Sequence, residues 1–122
     1  MIVLVVDDEE MIRALAEKVL RRAGFEVLTA ETGHRAVELL SGNLNKIAVI
    51  LIDMSMPDMT GFETIRSLRA LSPGIPCIIS SGHDVGPDDV PEDISDNIGF
   101  LQKPYRSQML ASIVRSMTLV PK

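Results

Sequence analysis

The stretch Lys46-Ile47-Ala48-Val49-Ile50-Leu51-Ile52-Asp53 decides the fold of this 122-residue chain. It is an almost continuous apolar run that ends abruptly in an acid, which is typical of a strand buried on both faces. Four more short runs alternate with segments of helical period: Ile2 to Val6, Phe25 to Ala30, Ile75 to Ser80 and Ile98 to Gln102. This alternation predicts an α/β fold, a parallel sheet with helices on both faces. Only the run Phe25 to Ala30, which Glu26 and Thr29 interrupt, has the composition of an edge strand.

Apolar spacing predicts the helices that cover this sheet. The first helix has its apolar residues at the spacing i, i+3, i+4, i+7 and stops at Gly24. Its expected buried stripe is Ile12, Leu15, Ala16, Val19, Leu20 and Ala23. Three further helices are expected from Thr32 to Gly42, from Gly61 to just before Ser72-Pro73-Gly74, and after Tyr105, where Leu110, Ile113, Val114 and Met117 form the stripe.

The segment Asp84 to Asn97 is where the alternation calls for one more helix. It contains six acids, no basic residue, Gly86, and two prolines four residues apart, Pro87 and Pro91. Pro91 has no amide hydrogen and would clash with the carbonyl of Pro87 inside a helix. The sequence therefore predicts a short, distorted or partly mobile helix here.

The amino-acid composition argues against several classes of function. The chain is 46% hydrophobic and 24% charged, which predicts one domain spanning residues 1–122. A net charge of -5 argues against direct binding of nucleic acid, and no apolar run approaches the roughly 20 residues of a membrane span. The single cysteine, Cys77, excludes a disulfide framework within the chain. We expect a cytoplasmic protein without membrane insertion.

The predicted strands end in acids and a lysine. Asp7 and Asp8 follow the first strand, Asp53 ends the third, Ser81 follows the fourth and Lys103 follows the fifth. Ligands of an open parallel sheet collect at the carboxyl ends of its strands. The acids share one crevice if the strand order is 2-1-3-4-5, that of a flavodoxin-like three-layer sandwich, and this is the order we expect.

Three clustered carboxylates need a neutralising partner. A close pair repels by about 4 kcal/mol at an effective dielectric of 20, so such a cluster is protonated, paired or bound to a cation. Because Asp7, Asp8 and Asp53 offer only oxygen ligands, the expected cation is Mg²⁺. Lys103 and Ser81 would then face an anion that the metal holds. The plainer interpretation of Asp7-Asp8 alone is a pair of acids that favours a helix start.

Four motifs occur together at these strand ends. They are Val5-Val6-Asp7-Asp8-Glu9, Leu51-Ile52-Asp53-Met54-Ser55-Met56-Pro57-Asp58-Met59-Thr60-Gly61, Ser80-Ser81-Gly82 and Leu101-Gln102-Lys103-Pro104-Tyr105. In order and spacing they resemble the receiver (response-regulator) domain of two-component signalling, over essentially the whole chain. The fold that this resemblance implies is the CheY-like sandwich. The combination of Ser81-Gly82-His83 with Lys103-Pro104-Tyr105 resembles the receivers of hybrid histidine kinases.

The resemblance implies a role for each matching residue. Asp53 would be the phosphoacceptor for a phosphohistidine of a histidine kinase or a histidine phosphotransfer domain. Asp8, Asp53 and the backbone carbonyl of Ser55 would ligate Mg²⁺ directly, and Asp7 chiefly through water. The roles implied for the remaining residues are phosphate binding by Ser81 and Lys103, a conformational switch of Ser81 and Phe100, and a cis peptide bond before Pro104.

The resemblance also implies what the protein is not. It would be a signalling phosphoacceptor that catalyses only its own phosphorylation and slow dephosphorylation, with a homodimer as a possible assembly. A phosphatase of the haloacid dehalogenase type would need a second acid where Ser55 stands. A flavin carrier would need a phosphate-binding first loop in place of Asp7-Asp8-Glu9-Glu10. A receiver that binds partners without phosphate is disfavoured, because every residue type that phosphorylation requires is present. The plainer interpretation of Phe100 is a core residue.

Overall fold

A five-stranded parallel sheet in the order β2-β1-β3-β4-β5 forms the middle layer of the protein. The computed structural model describes residues 1–118, so residues 119–122 of the expected domain lie outside the described part. The strands are β1 (Ile2–Val6), β2 (Glu26–Ala30), β3 (Ile47–Asp53), β4 (Cys77–Ser81) and β5 (Ile98–Gln102). The predicted strand order is confirmed, and every predicted apolar run contains a strand.

The prediction that only the run Phe25 to Ala30 forms an edge strand is wrong, because the sheet has a second edge strand. β2 is an edge strand, as its mixed composition indicates, but β5 lies at the other edge. Ile98, Gly99 and Phe100 of β5 are only partly buried. The sequence of β5 is nevertheless apolar, because helices and loops cover both faces of this strand. Within residues 1–118, its outer edge has no neighbouring strand.

Four helices pack on the two faces of the sheet: α1 (Glu10–Arg22), α2 (Gly33–Ser41), α3 (Gly61–Leu71) and α4 (Ser107–Thr118). α2 begins where Thr32 accepts a hydrogen bond from the amide of Arg35. α3 begins with a capping box between Thr60 and Glu63. The chain leaves α1 through Gly24, whose φ of +98° is a conformation that glycine adopts without strain.

One residue of the predicted stripe on α1 does not face the core. Ala16 and Leu20 are fully buried, but Leu15 is 48% exposed. One helical residue is a rotation of about 100°, so a stripe centred on Ala16 and Leu20 leaves Leu15 at its border. There Leu15 lines an apolar surface cavity with Pro104 and Tyr105.

Two apolar clusters form the core, one on each side of the sheet. The cluster under α2 and α3 includes Leu4, Ile50 and Ile79, and the cluster under α1 and α4 includes Val5 and Ile78. Cys77 is completely buried, and burial raises the pKa of its thiol to about 12. Cys77 is therefore an uncharged core side chain at neutral pH.

The 84–97 segment, between β4 and β5, contains two short 3-10 turns in place of an α-helix. The turns are Pro87–Asp89 and Glu92–Ile94. Pro87 opens the first turn and Pro91 directly precedes the second, so neither proline has to donate an amide inside a helix. The prediction of a short, distorted helix is confirmed, while its partial mobility stays a prediction.

Apolar anchors and two arginines of α3 hold the 84–97 segment to the body. Val90 and Ile94 are buried. Arg66 forms an exposed two-bond ion pair with Asp93. The side chain of Arg69 is only 9% exposed and donates to the carbonyl groups of Ile75, before β4, and of Ile94, within the segment. Within residues 1–118, no helix has the length and apolar character that crossing a membrane requires.

Candidate functional site

Three carboxylates meet at the carboxyl ends of β1 and β3. The chain turns out of β1 through Asp7 and Asp8, and β3 ends in Asp53. Because β1 and β3 are hydrogen-bonded neighbours, one oxygen from each of these residues lies within 4.8 Å of the others. Asp7 and Asp53 are 3% and 5% exposed, whereas Asp8 is exposed. The cluster is thus open to solvent on one side only.

Lys103 reaches the cluster from the end of β5. Its Nζ lies 2.9 Å from Asp7 Oδ2 and 3.3 Å from Asp53 Oδ1, and the following bond to Pro104 is cis. Burial, the largest influence, lowers the pKa of Lys103, but hydrogen bonds and attraction from Asp7 and Asp53 outweigh it and raise the pKa above its ordinary value. Lys103 is therefore a permanent positive charge within the site.

The surroundings of Asp53 disfavour the charged form of its carboxyl group. Burial raises its pKa most, and repulsion from Asp7 adds to this effect. Lys103 lowers this pKa, and so does the amide of Ser55, which lies 3.3 Å from Asp53 Oδ1. The resulting pKa of Asp53 is about 6. One lysine does not balance three acids, so a further cation at the cluster would stabilise the ionised Asp53.

Asp7 is fixed by its neighbours on the turn into α1. The amide of Glu9 donates to Asp7 Oδ1 at 2.9 Å, and the Arg13 guanidinium donates to the backbone carbonyl of Asp7 at 2.8 Å. Arg13 was not among the predicted site residues. No motif marks it, because an arginine one turn into a helix is ordinary surface composition.

Ser81 and Phe100 lie next to the start of the 84–97 segment. Ser81 ends β4, is 6% exposed, and accepts a hydrogen bond from the amide of His83 at 3.0 Å. The partly buried Phe100 packs against the core cluster under α2 and α3. Both residues line a cavity of about 190 Å³ with His83 and Val85. The arrangement brings the serine hydroxyl and the aromatic ring to one cavity.

The loop from β3 to α3 is tied to the start of α2 by Asp58. Its carboxylate accepts hydrogen bonds from the amides of Gly33 and His34 at 3.1 and 3.0 Å, and it contacts the exposed imidazole of His34. Burial would raise the pKa of Asp58, but these donors outweigh it and lower the pKa to about 2. No local sequence pattern predicts this pairing, because the partners are 24 and 25 residues apart in the chain.

Asp58→Ala should lower the free energy of unfolding by about 1 kcal/mol at pH 7, the typical loss for a helix N-cap. Because the pKa of Asp58 is depressed in the folded state, its stabilisation is complete above the unfolded pKa near 4 and disappears as the pH falls toward 2. Urea denaturation between pH 7 and pH 3 measures this difference. Asp88, an exposed acid whose side chain makes no hydrogen bond to any of residues 1–118, provides the control: Asp88→Ala should change stability little at any pH. A loss for Asp58→Ala that stays constant down to pH 3 would contradict the assignment.

The fold and the site define the class of phosphate-handling α/β proteins in which acids and a lysine converge at the carboxyl ends of a parallel sheet. The chain belongs to the response regulator receiver domain family, whose sequence model matches residues 3–115. Receiver domains are signalling phosphoacceptors of two-component systems rather than conventional enzymes, and they bind Mg²⁺ at an acidic pocket.

Known proteins from several signalling systems resemble this chain. The sensor kinase CckA of Brucella abortus (strain 2308) is 32% identical over 117 residues, which are 94% of this chain and 12% of that kinase. A crystal structure of the receiver domain from the hybrid histidine kinase CckA has a TM-score of 0.83 at 27% identity, covering 97% of this chain and 99% of that one. The chemotaxis protein CheY4 of Vibrio cholerae has a TM-score of 0.85 at 28% identity, with 95% and 97% covered. The chain therefore spans only about an eighth of the length of the kinase.

Proposed function

We propose that Asp53 accepts a phosphoryl group in a Mg²⁺-dependent transfer from a phosphohistidine. The donor would be a histidine kinase or a histidine phosphotransfer domain, and the transfer would switch the conformation of a signalling surface. The observation that carries this proposal is the meeting of Asp7, Asp8 and Asp53 within 4.8 Å, with the Lys103 ammonium 3.3 Å from Asp53. Charge and geometry here suit an anion that is bound between a metal ion and a lysine.

The donor set fits Mg²⁺. All the available side-chain ligands are hard carboxylate oxygens, and the cluster of Asp7, Asp8 and Asp53 contains no histidine or cysteine. In this proposal Asp8, Asp53 and the backbone carbonyl of Ser55 bind the ion, and Asp7 binds it chiefly through water. When bound, Mg²⁺ supplies positive charge to the oxygens of the transferring phosphoryl group.

The residues of the chain carry out the transfer itself. A carboxylate oxygen of Asp53 attacks phosphorus, the bond from phosphorus to the histidine nitrogen breaks, and the imidazole leaves with the electron pair. The Lys103 ammonium, which stays protonated, binds an equatorial phosphoryl oxygen and so keeps the phosphorus–nitrogen bond in line with the attacking Asp53 oxygen. The Ser81 hydroxyl still has its own hydrogen to donate, because its oxygen accepts the bond from His83.

In this proposal the Ser81 hydroxyl couples phosphorylation of Asp53 to a conformational change at the protein surface. If Ser81 moves toward a phosphoryl group on Asp53, space opens in the cavity that it shares with Phe100. The ring of Phe100 can then turn further inward, which changes the face formed by β5 and the 84–97 segment. This proposal assigns the switch to Ser81 and Phe100.

Several further features belong to this proposal. The chain would form one receiver domain over residues 1–122, would catalyse only its own phosphorylation and a slow loss of the phosphate, and would bind no nucleic acid directly. A homodimer and a cytoplasmic location remain predictions from the sequence.

Removal of Mg²⁺ tests the proposed chemistry. Incubation with acetyl phosphate and millimolar Mg²⁺ should label the protein with acid-labile phosphate, and an excess of EDTA should reduce the labelling to background. Without the ion, the charges of the three acids repel both the incoming phosphoryl group and one another. Ca²⁺ at the same concentration provides the control for ionic strength and charge. Labelling that is equally fast in EDTA would contradict a metal-assisted transfer.

Lys103→Ala should leave Mg²⁺ affinity nearly intact and slow phosphorylation by about 10²-fold or more, because it removes one preorganised charge at the transferring group. Metal titration monitored by NMR and the rate of labelling by acetyl phosphate measure the two effects separately. Lys46→Ala, at an exposed lysine before β3, is the matched control and should match the wild type in both measurements. A Lys103 variant that phosphorylates at the wild-type rate would remove the lysine from its role.

A further inference from the structure

Ser80 has a buried hydroxyl without a partner, directly beside the proposed phosphoacceptor. The residue is 2% exposed, and its Oγ is the only buried side-chain nitrogen or oxygen within residues 1–118 that makes no hydrogen bond. A hydroxyl in this position is costly unless it finds a partner. The neighbouring Ser81, in contrast, has a hydrogen-bond partner in the amide of His83.

The register of the sheet places Ser80 next to Asp53. The two residues are Cα partners across β3 and β4, and neighbouring strands lie about 4.8 Å apart. Side chains alternate along a strand: Leu51 and Ile78 belong to the core cluster under α1 and α4, so Asp53 and Ser80, two residues further on, face that same side. The two side chains are thus neighbours on one face of the sheet.

The backbone fixes this proximity. The amide of Met54, the residue after Asp53, donates to the carbonyl of Ser80 at 3.0 Å. Because Asp53 and Ser80 lie in paired strands, only rotation about the Cα–Cβ bond of Ser80 is needed to redirect its hydroxyl toward Asp53. A serine has three staggered positions for this rotation.

Phosphorylation would create the partner that this hydroxyl lacks. Before transfer, Lys103 and the amide of Ser55 both lie 3.3 Å from Asp53 Oδ1. After transfer one oxygen of Asp53 carries the phosphoryl group and the other is an uncharged carbonyl. The Lys103 ammonium is then drawn to the more negative phosphoryl oxygens, so the carbonyl oxygen loses this donor and can accept a hydrogen bond from another one, beside the Mg²⁺ ion that the proposed function places on Asp53.

We propose that Ser80 is a positioning residue that donates a hydrogen bond to the carbonyl oxygen of Asp53 once the other carboxyl oxygen is occupied. This inference rests on the proposed function of Asp53. Ser80 acts through Asp53: its hydrogen bond holds the carboxyl plane of the occupied state from the neighbouring strand β4. The hydroxyl is unpartnered in the resting state and bonded in the occupied state, so it favours the latter.

The test compares beryllium fluoride binding, in the presence of Mg²⁺, with the stability of the unliganded protein. Ser80→Ala should weaken beryllium fluoride binding by about fivefold to tenfold, the effect of losing one uncharged hydrogen bond. The same variant should be at least as stable as the wild type in urea without ligand, because it removes a buried hydroxyl that has no partner. Ser80→Thr, which keeps the hydroxyl on a β-branched residue suited to a strand, should recover most of the affinity.

A matched core variant and the wild type separate the possible failures. Ile78→Val lies two residues earlier on the same strand face and should lower stability without changing beryllium fluoride affinity. If Ser80→Ala binds beryllium fluoride as tightly as the wild type, the hydroxyl has a purely structural role and the inference is overturned, whatever the outcome for Ser80→Thr. If the wild type itself does not bind beryllium fluoride with Mg²⁺, the proposed function fails, and the role of Ser80 fails with it.

Discussion

Asp53→Asn is expected to reduce acid-labile phosphate incorporation by at least about 10³-fold. The amide side chain has nearly the same size as the carboxylate but is a far weaker nucleophile, and it removes one of the three charges that would hold Mg²⁺. Labelling with radioactive acetyl phosphate, followed by loss of the label in acid or hydroxylamine, measures the effect. Labelling of the variant at the wild-type rate would show that another residue accepts the phosphate.

The same variant should remain folded, so lost labelling cannot be attributed to unfolding. The pKa of Asp53 is raised to about 6 in the folded protein, above its ordinary value of 3.8. An acid whose folded pKa is raised destabilises the fold increasingly as the pH rises from the unfolded pKa to the folded pKa, and fully above the folded pKa. In Mg²⁺-free buffer at pH 7, Asp53→Asn should therefore be at least as stable as the wild type. Asp84→Asn, at an exposed acid after β4, is the control and should leave labelling unchanged.

Arg69→Ala is expected to cause the largest loss of stability, about 3 kcal/mol. The Arg69 guanidinium is 9% exposed and donates to the carbonyl groups of Ile75, Ile94, Asp96 and Asn97 and to the carboxylate of Asp96. Alanine would leave several of these acceptors without a partner and would release the 84–97 segment from α3. Urea denaturation gives the change in free energy, and hydrogen exchange should show faster exchange throughout this segment.

Arg66 provides a matched control one helical turn away. It also pairs with an acid of the 84–97 segment, Asp93, but both side chains are about half exposed. An exposed ion pair contributes little, so Arg66→Ala should change stability barely measurably. Equal losses for the two variants would show that burial of the Arg69 guanidinium is not what holds the segment.

The sequence predicted the parts of the fold that depend on local pattern. The apolar runs located all five strands, and the acids at the ends of β1 and β3 indicated that these strands are neighbours. Periodicity placed the helices, with an error at the border of the α1 stripe, where Leu15 is exposed. The short 3-10 turns that replace an α-helix in the 84–97 segment follow from two prolines at a spacing of four residues, which is also a local rule.

The rest depends on contacts between distant parts of the chain. Asp58 is one acid among many in the sequence, and only the packing of α2 against α3 brings it to the amides of Gly33 and His34. Arg69 has the composition of a surface residue, yet the loops around Ile75 and Ile94 bury it. Nothing in the local sequence distinguishes Ser80, and only the strand register places it beside Asp53. Such roles are set by register and loop path, which periodicity does not encode.

Chemical mapping of the phosphorylated residue tests the central claim most directly. The protein is phosphorylated with acetyl phosphate and Mg²⁺, reduced with borohydride, which converts an aspartyl phosphate to homoserine, and then digested for mass spectrometry. The account predicts homoserine at position 53 and aspartate at positions 7 and 8. Homoserine at another acid, with unmodified aspartate at position 53, would contradict it.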